Sequence, residues 1–197
     1  MLFRSIIAPQ LGTLRELARW SGYPGLRAIL EDPRVRHLSG DGRRYLAGTP
    51  ERFDIIQADA LRPHSAYAGN LYSDAYFSLL RSRLAPGGLA VSWAPTARIV
   101  RTFVSVFPHV AQHGDVVLGS TEPIVIDVES FLRRLRDPHV TDYYTAAGVN
   151  IAELLAPYTA GWRLYGPTDR RDVADVNTDL HPRDEFNIAP LLPMPFF

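Results

Sequence analysis

Two aspartates stand where a carboxylate can do chemistry on a small polar ligand. Asp41 lies between two glycines, Gly40-Asp41-Gly42, into which a short strand at residues 35–38 runs. Asp59 closes a second run, Phe53-Asp-Ile-Ile-Gln-Ala. Each acid therefore follows a segment with strand character, and α/β sheets bind ligands at the carboxyl ends of their strands. Carboxylates so placed can hold a nucleoside-like ligand or take a proton from a nucleophile within reach. Arg62, His64 and Tyr67 follow Asp59 in a loop, and Tyr72 comes just after. The plainer alternative for Asp41 is a tight turn. For Asp59 it is a helix cap or loop brace.

The elements that must position these acids alternate between strand and helix. Residues 2–8 read as a buried strand. Residues 10–20 carry Leu11, Leu14, Leu17 and Ala18 at helical spacing, and Gly22 and Pro24 end that helix. A short helix at 25–30 stops at Asp32-Pro33, and a strand at 35–38 leads into Gly40-Asp41-Gly42. Residues 43–47 form a helical turn. The strand at 53–58 is continuously apolar enough to suggest burial on both faces. Ser73 caps a helix to Leu84, which Ala85-Pro86-Gly87-Gly88 ends. A strand at 89–93 and a helix at 97–106 follow, then two strands around Gly114-Asp115, at 110–113 and 116–119. This alternation predicts an α/β protein with a doubly wound parallel sheet covered by helices. Beyond Asp127 the pattern turns helical, at 131–135 and 151–155, and the last 35 residues, rich in Pro, Asp and Arg, read as a surface tail. The expected division is 1–126 for the sheet domain and 127–197 for a helical extension with its tail.

Composition excludes several classes of chemistry. Apolar residues make up 46% and charged residues 21%, as in a globular domain. The 21 basic and 21 acidic residues cancel, which argues against a nucleic-acid or anionic-membrane surface. Every basic residue is arginine, so Schiff-base or general-base lysine chemistry is unavailable. The absence of cysteine removes disulfides and thiolate sites. The close histidine pair, His109 and His113, flanks an expected strand, and no metal is expected. No apolar run approaches the roughly 20 residues of a membrane span, so no membrane partner and a cytoplasmic location are expected.

The ordered series Arg34-Val-Arg-His-Leu-Ser-Gly-Asp-Gly-Arg-Arg-Tyr-Leu, Phe53-Asp-Ile-Ile-Gln-Ala-Asp, Asn70-Leu-Tyr-Ser-Asp-Ala-Tyr-Phe and Leu84-Ala-Pro-Gly-Gly-Leu-Ala-Val resembles the spermidine synthase family, in its divergent bacterial form. Asn177-Thr-Asp-Leu-His-Pro-Arg-Asp-Glu-Phe resembles a segment of the same relatives. The resemblance implies a Rossmann-like sheet of the S-adenosylmethionine methyltransferase type. It also implies aminopropyl transfer from decarboxylated S-adenosylmethionine to an amine, hence small nucleoside and amine substrates. By the same resemblance Asp41, with Gly40 and Gly42, would hold the adenine edge, with Ala60 also lining the nucleoside site. Asp59 would be the general base, and Tyr67, Tyr72 and Arg62 would line the substrate site.

Three departures from the family pattern qualify that expectation. Its first strand and Gly-rich loop would fall upstream of residue 1, which suggests a truncated domain. Ser5 stands where an acid would hold the ribose hydroxyls. Arg62 replaces a carboxylate in the stretch Asp59-Ala-Leu-Arg-Pro, so a polycationic acceptor would meet repulsion. The missing strand leaves an open edge that a partner or a second copy of the chain could cover. Two alternatives stay open: a non-catalytic domain acting by partner binding, and an S-adenosylmethionine-dependent methyltransferase.

Overall fold

The computed structural model describes residues 4–7, 11–20, 24–58, 62–146, 148–170 and 174–186. The chain divides into two units, Met1–Glu51 and Arg52–Phe197. The fold is mixed α/β, with its strands in one sheet of two and one of five.

In the first unit, β1 (Arg4–Ile7) and β2 (Val35–Leu38) pair in parallel, Arg4 opposite Val35 and Ile7 opposite Leu38. Parallel strands need a long crossover. It is supplied by α1 (Leu11–Trp20) and α2 (Pro24–Glu31). Helix α1 buries Leu11 and Ala18, seven residues apart and so on one helical face. Beyond α2, Asp32 turns the chain. Its carboxylate accepts from the Arg34 backbone amide at 2.8 Å and from the Arg34 guanidinium at 2.6 Å. Strand β2 then delivers the chain to Gly40 and to α3 (Gly42–Gly48).

The second unit runs β3 (Phe53–Ala58), α4 (Asp74–Ser82), β4 (Leu84–Trp93), α5 (Ala97–Val106), β5 (His109–His113), β6 (Val116–Ser120), α6 (Val128–Leu135), α7 (Pro138–Ala146), α8 (Ile151–Leu155) and β7 (Arg163–Tyr165). Its sheet order is β3-β4-β6-β5-β7, with β3 and β4 parallel and every other pair antiparallel. The core lies where α4 and α5 cover this sheet. Phe77, Leu80, Ile99, Phe103, Phe107, Ala90, Ala111 and Val117 are fully buried there. Phe77 meets Phe103 edge-on at 4.9 Å, and Phe103 stacks on Phe107 at 4.4 Å. Such ring pairs add about 0.5–1.5 kcal/mol beyond their burial. Gly119 admits the stack, since a Cβ there would lie 2.5 Å from the Phe107 ring and 2.6 Å from Phe103.

Four sequence expectations are corrected here. Strand β3 is not buried on both faces: Asp54, Ile55 and Gln57 are exposed, Ile55 at 64%. Among the described residues it ends the order of its sheet, paired with β4. Pro86-Gly87-Gly88 does not precede β4 but bulges within it. Leu84 already pairs with Phe53, and the ladder resumes at Leu89 opposite Ile55. Helix α7 and strand β7 were not foreseen. The helix buries none of its residues, so it has no apolar stripe, and the strand is three residues long. The segment 174–186 is more than a surface tail, since Asn177 and Asp184 are 1% and 4% exposed.

Replacing Gly119 by alanine should force the Phe103–Phe107 stack apart. The expected loss is about 1–3 kcal/mol, the usual range for overpacking, read as a lower urea midpoint with an unchanged slope.

Candidate functional site

Asp41 begins α3 as its N-cap. Its backbone is extended, and its carboxylate accepts from the Arg44 amide at 2.7 Å. One oxygen is therefore committed to the helix terminus, where negative charge is also favoured by the helix dipole. Capping leaves the flanking backbone accessible: among the described residues nothing lies within 4 Å of a Cβ placed on Gly40 or Gly42. On α3 itself, the Tyr45 hydroxyl donates to Glu51 at 2.9 Å, and Arg36 reaches the same carboxylate at 3.0 Å. Together they hold Glu51 below the usual carboxylate range, the tyrosine hydrogen bond contributing most.

Asp59 and Ala60 lie outside the described residues. The chain is described again from Arg62, which is exposed and opens a chain of tight turns. Ser65 N donates to Arg62 O at 2.8 Å, Ala68 N to Ser65 O at 3.0 Å, and Leu71 N to Ala68 O at 2.9 Å. His64 is exposed. Tyr67 is 85% exposed and has φ 67°, a left-handed conformation that is rare for a bulky residue. Tyr72 is fully buried. Trp93, at the end of β4, is half-buried and donates its indole N–H to Asp115 at 2.6 Å.

The loop is fastened by a residue far along the chain. The carboxylate of Glu185 accepts from Tyr67 N at 2.9 Å through one oxygen and from Gly69 N at 3.1 Å through the other. Gly69 must be glycine for this approach, because a Cβ there would lie 2.2 Å from Pro182. Sequence reasoning missed Glu185, and also Asp175 and Asp184. The one available signal was the match of 177–186 to a family segment, which marks the stretch without assigning contacts.

These tail residues clasp the amino ends of α4 and α5. Ser73 and Thr96 are the two N-caps, accepting from Tyr76 N and Ile99 N, each at 3.1 Å. Each cap hydroxyl in turn donates to a tail carboxylate, Ser73 to Asp179 at 2.5 Å and Thr96 to Asp184 at 3.0 Å. Asn177 joins both ends. Its carbonyl accepts from Asp74 N, its amide donates to Thr102 Oγ1, and its side chain donates to Asp184 at 2.7 Å. Arg98 on α5 donates to Asp184 at 2.8 Å and to Asp175 at 2.9 Å, and Arg101 and Arg183 also donate to Asp175. These three guanidiniums hold the Asp175 carboxyl down to about 2. The Arg98 hydrogen bond contributes most, against a smaller opposing effect of desolvation.

Among the described residues no group of three or more His, Asp or Glu side chains could hold a metal, and no helix is long and apolar enough to cross a membrane.

Two outcomes follow for the clasp. Asp184→Ala takes from Arg98, whose side chain is 20% exposed, one of its two carboxylates and removes the acceptor of Thr96 and of the buried Asn177 side chain. The expected cost is about 2–3 kcal/mol, at or below the low end for breaking a buried pair, read by urea denaturation. Asp175 has a folded pKa lowered from 3.8 to about 2, so its contribution is complete above 3.8 and fades as pH falls toward 2. The stability gap between the native chain and Asp175→Asn, followed by denaturant midpoint against pH, should close over that window and stay constant above it.

Comparison with known proteins places this geometry in a family. Residues 17–129 match the profile of the spermine/spermidine synthase domain. The polyamine aminopropyltransferase of Korarchaeum cryptofilum is 32% identical over 78 residues, 39% of this chain and 24% of its own length. Polyamine aminopropyltransferase 2 of Pseudomonas aeruginosa is 33% identical over 107 residues, 49% of this chain and 31% of its own. The chain thus spans a third or less of the length of these relatives. The spermidine synthase structure from Thermotoga maritima superposes with a TM-score of 0.48 at 16% identity, covering 62% of this chain and 47% of that one. The profile match takes in more than half of the 197 residues, from within α1 to the start of α6, and the chain belongs to the spermine/spermidine synthase family.

Proposed function

We propose that the chain carries an aminopropyl-transfer site, in which an amine attacks the aminopropyl group of decarboxylated S-adenosylmethionine. The observation that carries this reading is the family match over residues 17–129, which takes in both Gly40-Asp41-Gly42 and the β3–Asp59 junction. The amine nitrogen forms a bond to the propyl carbon attached to the sulfonium. The carbon–sulfur bond breaks, its electron pair goes to sulfur, and neutral methylthioadenosine leaves. Asp59 takes the proton that the nitrogen loses. A carboxylate at a strand's carboxyl end suits this task because the base needs correct placement as much as a raised pKa.

Asp41, Gly40 and Gly42 hold the adenine edge in this reading, with Ala60 beside the nucleoside. The open backbone at both glycines supports that role. Arg62 and Tyr67, both exposed on one loop, face the acceptor. Arg62 repels a second positive charge, so the acceptor is an amine with few charges instead of a polycation.

The test is release of methylthioadenosine from decarboxylated S-adenosylmethionine in the presence of a panel of amines, followed by mass spectrometry. Asp59→Asn should lower the rate by roughly 10²–10⁴, the usual worth of a general base, while leaving methylthioadenosine affinity unchanged. Asp41→Ala should weaken that affinity by about tenfold or more, the scale of one charge-assisted hydrogen bond. Methyl transfer from S-adenosylmethionine by a folded chain that releases no methylthioadenosine would overturn the reading.

A further inference from the structure

The loop that carries Arg62 and Tyr67 is not held by its own sequence. Its turns are local, but Tyr67 sits at φ 67°, where a side chain with a Cβ is disfavoured and where glycine would be the ordinary choice. Strained backbone of this kind persists only where its surroundings over-determine it. Beyond the local turns, the hydrogen bonds to this stretch among the described residues come from the carboxylate of Glu185, 118 residues further along the chain. It bridges the amides of Tyr67 and Gly69 with one oxygen each. Pro182 and Glu185 both lie against Gly69 where a Cβ would be, and the Glu185 amide donates to Pro182 O at 2.9 Å, which closes the tail turn.

The result is a tyrosine ring 85% exposed on a fixed backbone. A buried ring would be accounted for by packing, as Tyr72 is. An exposed ring on strained backbone gains nothing for stability. Its chemistry is that of a flat π face able to lie against the alkyl chain and ammonium of an amine. The cation of Arg62, in the same run of turns, disfavours a second ammonium on that ligand.

We propose that Glu185 is a positioning residue that holds Tyr67 in its left-handed conformation and so presents the Tyr67 ring to a singly charged amine acceptor. This rests on the aminopropyl-transfer reading for the identity of the ligand, but the latch itself does not.

The experiment compares the native chain with Glu185→Gln and Tyr67→Gly, using amide hydrogen exchange together with titration of n-butylamine and methylthioadenosine. In Glu185→Gln the Tyr67 and Gly69 amides should exchange about tenfold faster, as expected when a charge-assisted hydrogen bond is weakened. Amides within α4 and α5 should keep their protection. Affinity for n-butylamine should fall several-fold with methylthioadenosine affinity unchanged, a split that general loss of stability would not produce. Tyr67→Gly should keep the Gly69 amide protected, because glycine accepts the same backbone, yet lose n-butylamine to the same degree. Unchanged exchange in Glu185→Gln overturns the latch. Faster exchange with undiminished n-butylamine binding overturns the presenting role. If the native chain binds neither ligand, the aminopropyl-transfer reading fails and the presenting role falls with it, while the exchange rates still decide whether Glu185 is a latch.

Discussion

Asp184 is a nearly fully buried carboxylate, and the amino ends of two helices are organised around it. A buried charge is costly unless it is paired and hydrogen-bonded. Asp184 meets that condition through Arg98, Thr96 and the Asn177 side chain together. Each partner belongs to something larger. Thr96 caps α5, Arg98 is in its first turn, and Asn177 receives the amide at the start of α4. Because these polar groups satisfy one another, losing Asp184 would take a partner from all three at once, the buried Asn177 side chain among them.

The clasp also uses the electrostatics of helix ends. The first amides of a helix have no partner within it, and the helix dipole places partial positive charge there. Asp179 and Asp184 bring negative charge to the starts of α4 and α5 through the hydroxyls that cap them. The serine and threonine hydroxyls accept from the helix and donate to the tail, using both capacities of one oxygen. Below this polar layer the Phe77–Phe103–Phe107 rings join the same two helices to the sheet. Packing sets how α4 and α5 lie on the strands, and the tail secures their ends.

From that anchored tail, Glu185 reaches back to the loop that follows β3. The loop lies at the carboxyl end of a parallel strand, where this class of sheet presents ligands. Its backbone shape is thus set by chain more than a hundred residues away, and its local turns alone would leave Tyr67 free to relax.

Much of this chain was legible before folding. Apolar spacing marked α1, α4 and α5, and Ser73 was recognisable as a cap, because these signals are local and repeat every turn. Gly114-Asp115 between two apolar runs announced the antiparallel pair β5 and β6 for the same reason. Glycines around Asp41 and the acid after β3 carried the family likeness, since both depend on short, ordered spacings. Tertiary structure decided the rest. It placed β3 at a sheet edge with Ile55 in solvent, seated β7 beside β5, and let Leu84 pair before the Pro86-Gly87-Gly88 bulge. It also turned a stretch rich in Asp, Arg and Pro from an apparent surface tail into a clasp anchored by the buried Asn177 and Asp184. The physical reason is range. Periodicity and caps record what a residue does with neighbours three or four positions away. Whether a carboxylate is solvated or gripped by Arg98, or whether Tyr67 is held at a positive φ, depends on partners 77 to 118 residues distant, and no local pattern encodes them.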